Sequence, residues 1–176
     1  MPHILYIMII EDVTGNIGTL SIGSRQTDLL QLQWYETSRR IQRRQTVSGR
    51  ELALRLLKQG QRLQQGDVVW MDDTTAVIVD ILPCEVILVT PASMLEMGTI
   101  CYEIGNKHLP VFIQDNEVLI PMEEPLYRWL ESAGYTPQKA TRKLTNMLRS
   151  NVTPHSHGGG RETLFQKIMN RMNGER

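Results

Sequence analysis

The stretch EVILVTPASMLEMGTICYEIGNKHLPVFIQDNEVLIPM, residues 85–122, decides the fold, because two periodicities alternate inside it. EVILVTP is a β-branched run without alternation, as a fully buried strand requires. SMLEMGTICYEIG switches to helical spacing. Ser93 and Glu96 stand three apart, the arrangement of a capping box that satisfies free amides at a helix start. Met94, Met97, Cys101 and Ile104 then fall on one helical face, and Gly105 is predicted to supply the left-handed residue that closes the helix. LPVFIQD and EVLIPM read as two paired strands turning at Asp115-Asn116.

Toward the C-terminus, EEPLYRWLESAG (123–134) is a second helix. Glu123 and Glu124 favour its start, Pro125 suits its first turn, and Leu126, Trp129, Leu130 and Ala133 form its stripe before Gly134 ends it. Residues 139–149 support two readings. A sixth strand would complete βαββαβ, the ferredoxin-like split unit, whereas Leu144, Met147 and Leu148 have helical spacing. After Ser150 the chain becomes NVTPHSHGGG, polar and glycine-rich, with too little apolar surface to fold alone. A basic amphipathic segment, RETLFQKIMNRM (161–172), follows.

Toward the N-terminus the signals are β, and the change falls at Leu82-Pro83. DLLQLQW (28–34) alternates, with Leu30, Leu32 and Trp34 on one face and Gln31 and Gln33 on the other. RRIQRRQTV (39–47) and RELALRL (50–56) flank Ser48-Gly49 as a hairpin, with Leu52, Leu54 and Leu56 inward. GDVVWMDD (66–73) and AVIVD (76–80) form another around Asp73-Thr74-Thr75. The apolar run Ile4–Ile10 is far short of the roughly 20 residues a membrane span needs and lacks a signal peptide's basic flank. It is read as a buried strand. The organisation expected is an all-β domain over 1–81, an α+β domain over 82–150 and a tail over 151–176.

Composition removes several function classes. Nineteen basic residues balance nineteen acidic ones, so no global field draws in nucleic acid. Two cysteines, Cys84 and Cys101, make neither a disulfide framework nor a CxxC site, which suits a reducing cytoplasm. The phosphate loop GxxxxGK[ST] is missing, as are HExxH, GxSxG and GxGxxG, so no enzyme activity is expected. Cys101 with His108 could be drawn as nucleophile and base. Cys101, however, lies on an apolar face, where free cysteine acts as a small hydrophobe.

The histidines carry the chemistry that remains. His108 sits on a short connector between a helix and a strand. One imidazole binds a metal weakly, but across a two-fold axis the same residue occurs twice and two rings can share one ion. His155 and His157 are two apart, so both can face one side of an extended chain, and Gly158–Gly160 give that tail reach. His3 is set aside, because Pro2 lacks the backbone amide that an amino-terminal copper or nickel motif uses. Arg39, Arg40, Arg43 and Arg44 read either as a solvated strand edge or as a dock for an acidic protein surface.

Three segments, RRIQRRQTVSGRELALRL (39–56), LQQGDVV (63–69) and CYEIGNKHLP (101–110), resemble motifs of the UreE family, nickel chaperones of urease assembly; the similarity runs from about Trp34 to His157. The resemblance implies an N-terminal β domain and a C-terminal ferredoxin-like βαββαβ domain. It implies a homodimer through the latter, with the histidine of Gly-Asn-Lys-His, here His108, meeting its copy around one nickel ion. It favours β structure within 139–144, adds His155 and His157 as tail ligands, and names as partners the GTPase UreG and the urease apoprotein with its other accessory proteins. Copper(II) and zinc(II) are expected to compete in vitro. Two departures stand out. The tail has two histidines where many relatives have a long polyhistidine run, and no histidine lies near Glu123-Glu124, where some relatives bind copper. The rival reading is an adaptor that scaffolds an accessory complex without metal.

Overall fold

The structure is a computed structural model that describes residues 7–58 and 60–148. The chain divides between Leu82 and Pro83 into two compact units.

The first unit is built from β1 (Met8–Ile10), β2 (Gly15–Asn16), β3 (Gln26–Leu32), β4 (Ile41–Gln45), β5 (Glu51–Arg55), β6 (Asp67–Met71) and β7 (Thr75–Ile81). They form two sheets, ordered β1-β5-β4 and β2-β6-β7-β3. Both predicted hairpins are present as antiparallel pairs, β4 with β5 and β6 with β7. Gly49 closes the first at φ 89°, a conformation open to glycine because it has no Cβ. Leu30, Leu32, Trp34, Leu52, Leu54 and Leu56 are all buried as the alternation requires. The sheets also contain two parallel pairings, β1 with β5 and β3 with β7, whose partners lie too far apart in the chain for turn residues to announce them. β1 corrects the buried-strand expectation. It is an edge strand with Ile10 buried and Ile9 60% exposed, and residues 1–6 lie outside the described region.

Asp28 joins the two sheets. Its carboxylate, on β3, accepts hydrogen bonds from the Thr46 hydroxyl (2.7 Å), the Ser48 N–H (3.1 Å) and the Ser48 hydroxyl, all at the β4–β5 turn. Arg50 adds an ion pair at 3.5 Å. Beside it the Val47 N–H donates to the Leu29 carbonyl at 2.9 Å.

The second unit contains β8 (Cys84–Val89), α1 (Met94–Asn106), β9 (Phe112–Gln114), β10 (Glu117–Pro121), α2 (Glu124–Ser132) and β11 (Gln138–Arg142). Its strands are antiparallel in the order β11-β8-β10-β9, the ferredoxin-like arrangement. Over 139–149 the start is strand, and residues 143–148 form no helix. β11 pairs with β8 from Gln138↔Leu88 to Arg142↔Cys84, while Leu144 is buried and Met147 bridges Phe112. Tertiary pairing overrides the local helical spacing.

Ile100 and Ile104 of α1, with Leu126 and Leu130 of α2, pack on Ile87, Val89, Val118 and Ile120 of the sheet. Met94 is 86% exposed and Ala133 is exposed too, against their assignment to the inward stripes. At 3.6 residues per turn Met94 lies about 80° round the axis from Ile104, beyond the arc that the sheet covers.

Burial raises the pKa of Asp28, but the Ser48 and Thr46 hydroxyls, the Ser48 N–H and Arg50 outweigh it and leave the carboxyl below its ordinary value. A depressed folded pKa contributes stability that is present above the unfolded value and lost as pH falls through the folded one. We therefore expect Asp28→Asn to destabilise the chain at pH 7 by about 1–3 kcal/mol. That deficit should narrow once pH drops below about 3.9, as urea denaturation across the range would measure.

Candidate metal centre

Helix α1 sets the position of His108. At its start the Ser93 hydroxyl accepts the Glu96 N–H at 3.1 Å, and the Glu96 carboxylate accepts the Ala92 N–H at 2.6 Å. At its end the expectation for Gly105 fails. The helix runs through Gly105 to Asn106, Lys107 is the C-cap, and the left-handed residue is His108 at φ 57°. The His108 N–H donates to the Gly105 carbonyl at 2.9 Å, and the Leu109 N–H to the Ile104 carbonyl at 3.4 Å. These are the two bonds of a Schellman motif. Leu109 and Ile104 are buried in the same core cluster, the apolar contact that accompanies that motif.

Helix α2 ends in the same way and provides an internal comparison. Gly134, at φ 89°, donates to Glu131, and Tyr135 donates to Leu130, each at 3.1 Å. There the left-handed position holds glycine. In α1 it holds histidine, at a backbone strain of about 1–2 kcal/mol. Nothing in the monomer's packing requires that imidazole, because His108 is exposed. Its backbone is held from both sides, by the helix and by buried Leu109 and Pro110. Lys107 is anchored as well, with Nζ 4.1 Å from the Trp129 ring centroid.

Other candidate chemistry in this unit is suppressed. Burial pushes the Cys101 thiol up, and burial together with the Glu85 charge pushes Cys84 to about 11, so neither is a ready thiolate nucleophile. Glu124 is held below its ordinary value by Lys139 at 3.0 Å and Arg128 at 3.6 Å, in keeping with a helix-start role. Among the described residues no group of three or more His, Cys, Asp or Glu could hold a metal. One chain thus presents one imidazole here. His155, His157 and His3 lie outside the described residues, as does 161–172. The described chain ends beside the site, however: the Leu148 N–H donates to the Val111 carbonyl at 2.8 Å, three residues beyond His108. Seven residues lead from there to His155, a span of at most about 25 Å.

The four arginines share an edge but not an environment. Arg44 pairs with Glu36, and Arg39 reaches the same carboxylate at 3.9 Å. Arg40 donates to the Leu57 carbonyl at 2.7 Å, and Arg43 is exposed on β4.

A feature that sequence reading missed is the outward stripe of α1. Leu95 and Tyr102 join Met94 as exposed large apolar residues, with Gly98 and Gly105 between and beyond them. A Cβ at either glycine would meet no atom within 4 Å. Two glycines seven residues apart inside a helix were the available signal, since each costs about 1 kcal/mol against alanine.

Family models describing the N-terminal and C-terminal domains of the UreE urease accessory protein match residues 10–82 and 84–163. The chain belongs to the UreE family. A urease accessory protein UreE of Flavobacterium johnsoniae is 48% identical over 163 residues, 93% of this chain and 98% of that protein. One of Actinobacillus pleuropneumoniae is 46% identical over 147 residues, covering 81% and 79%. One of Acetivibrio thermocellus is 37% identical over 150 residues, covering 85% and 97%. Among the described residues of this UreE family member, no helix is long and apolar enough to cross a membrane.

The left-handed backbone gives a direct test. His108→Gly should raise unfolding stability by up to about 1 kcal/mol, while His108→Val should lower it, because a β-branched side chain tolerates positive φ poorly. Chemical denaturation of the two variants would check the order.

Proposed function

We propose that this UreE family member is a cytoplasmic nickel chaperone without enzymatic activity. It binds Ni(II) as a homodimer and passes it on for assembly of the urease active site, in contact with the GTPase UreG and the urease apoprotein complex. The observation that carries this reading is His108: an exposed imidazole on a rigid left-handed corner, where fold stability alone favours glycine. One ring per chain is too few for firm binding, and a second copy brought to a two-fold axis supplies the other. Neutral imidazole suits Ni(II), and a sparse donor set leaves positions for water and for transfer. Copper(II) and zinc(II) compete for the same donors.

The bare stripe of α1 supports the assembly. Met94, Leu95 and Tyr102 are exposed, and Gly98 and Gly105 leave room for close approach of a second helix. For two copies of His108 to meet, the axis passes near the C-terminal end of this helix. His155 and His157 follow Leu148 by seven and nine residues and add ligands within reach of the site. The arginine edge around Arg40 and Arg43 serves as the contact for an acidic partner.

Nickel titration by calorimetry tests the ligand assignment. His108→Gly, which leaves the corner relaxed, should abolish tight binding, whereas truncation after Thr153 should weaken it and spare one ion per dimer. If truncation removed all tight binding and His108→Gly removed none, the tail would be the site. Binding should also fall as pH is lowered from 8 to 5.5, with protons released on loading, because a protonated imidazole has no lone pair to offer.

The assembly has its own test. Gly98→Ala should stabilise an isolated monomer by up to about 1 kcal/mol yet weaken dimerisation in sedimentation experiments. An unchanged dimer constant would place the contact elsewhere.

A further inference from the structure

Strand β4 is an edge strand, and among the described residues no strand lies beside Ile41–Gln45 on the side away from β5. The Leu56 N–H donates to the Arg40 carbonyl at 2.7 Å and the Thr46 N–H to the Arg50 carbonyl at 2.9 Å, so the even-numbered residues of this segment point their backbone groups at β5. By the alternation of an antiparallel ladder, Ile41, Arg43 and Gln45 point theirs outward. The same phase explains why the Val47 N–H, pointing away from β5, is free to reach β3. Among the described residues nothing pairs with the N–H or C=O of Ile41, Arg43 or Gln45. Their side chains are exposed too, Ile41 at 73%.

The charge beside this edge is one-sided. Glu36 neutralises Arg44 and Arg39 on the inner side, and Glu11 meets Arg55 at 3.5 Å on β5. Among the described residues neither Arg40 nor Arg43 meets a carboxylate. An open edge invites any extended chain, and like charge on it repels copies of itself. Two β4 edges pairing about a two-fold axis at Arg43 would set guanidinium against guanidinium. A strand carrying carboxylates meets no such repulsion.

We infer that β4 receives an extended acidic segment of a partner protein, added as a fourth strand beside Ile41–Gln45. Main-chain bonds to Ile41, Arg43 and Gln45 supply the pairing, a carboxylate faces Arg43, and an apolar side chain on the same face covers Ile41. This rests on reading the arginines as a partner contact and specifies how that contact is made.

The probe is a capped eight-residue peptide in which glutamate and valine take turns on one strand face and threonine fills the other, tested on the full chain by fluorescence anisotropy and by hydrogen exchange. It should bind and slow exchange at the amides of Ile41, Arg43 and Gln45. The matching lysine–valine peptide should not bind. Arg43→Glu should weaken the acidic peptide at least tenfold. So should methylation of every second peptide nitrogen, and so should Arg43→Pro, which removes an edge N–H that no neighbouring strand uses. Binding that is lost in Arg43→Glu but indifferent to methylation and to proline would overturn strand addition and leave a side-chain contact at the arginines. Absence of binding, or binding that Arg43→Glu leaves unchanged, would overturn the arginine contact itself along with strand addition. Edge-to-edge self-association of the chain without peptide would overturn the acidic specificity.

Discussion

The second unit turns on a single backbone constraint, the left-handed residue after α1. Helix α1 lies on the sheet through Ile100 and Ile104, and the chain must then reverse to enter β9. The two Schellman bonds make that reversal within one residue, and they return Leu109 to the core that Ile104 occupies. Everything downstream inherits this geometry: the Asp115-Asn116 hairpin, the central place of β10, and the return of 143–148 along β9, where Gln114 accepts the Thr145 N–H at 2.8 Å. A corner so constrained fixes the backbone from which the His108 side chain projects, which under the proposal is what a shared two-fold ligand needs.

Much of this was legible in the sequence, for reasons that differ by element. The strands at 28–34, 50–56 and 85–89 declare themselves because burial on one or both faces leaves a period of two or an unbroken apolar run. The turn at Ser48-Gly49 is legible because positive φ has a residue signature. The same rule misled at the end of α1. Gly105 looked like the closing residue, but glycine is also used where a surface must stay bare, and three residues later histidine takes the strained position. The parallel pairs β1–β5 and β3–β7 left no local mark. Neither did β11, whose exposed and intermediate residues show no inward face and whose identity is fixed only by its partner β8.

The candidate site was legible as a residue but not as an environment. Sequence could select His108 from its connector, yet the comparison that gives it weight is structural: two helices in one small domain end with identical bonding, one on Gly134 and one on His108. Likewise the arginines read as a uniform cluster, and the structure separates them. Glu36 is buried beneath Arg44, so part of that cluster holds the fold together, while Arg40 and Arg43 meet no carboxylate among the described residues. Spacing alone cannot distinguish these roles, because they depend on which face of β4 each residue occupies.

The distribution of donors bears on the proposed transfer. A cage of several side chains preformed in one chain would hold Ni(II) tightly and release it slowly. Here the described part of one chain offers a single imidazole and no cluster of acidic or thiol groups around it, and burial keeps both cysteines protonated at neutral pH. Under the proposal, affinity therefore comes from pairing two chains and from tail histidines held near by a short tether. Under the proposal each of those contributions can be withdrawn without unfolding the corner, which core packing holds. The strain at His108 fits that design, since the corner is maintained by core packing and backbone bonds, not by the metal. Under the proposal the corner therefore stands ready before loading, since backbone bonds and core packing hold it.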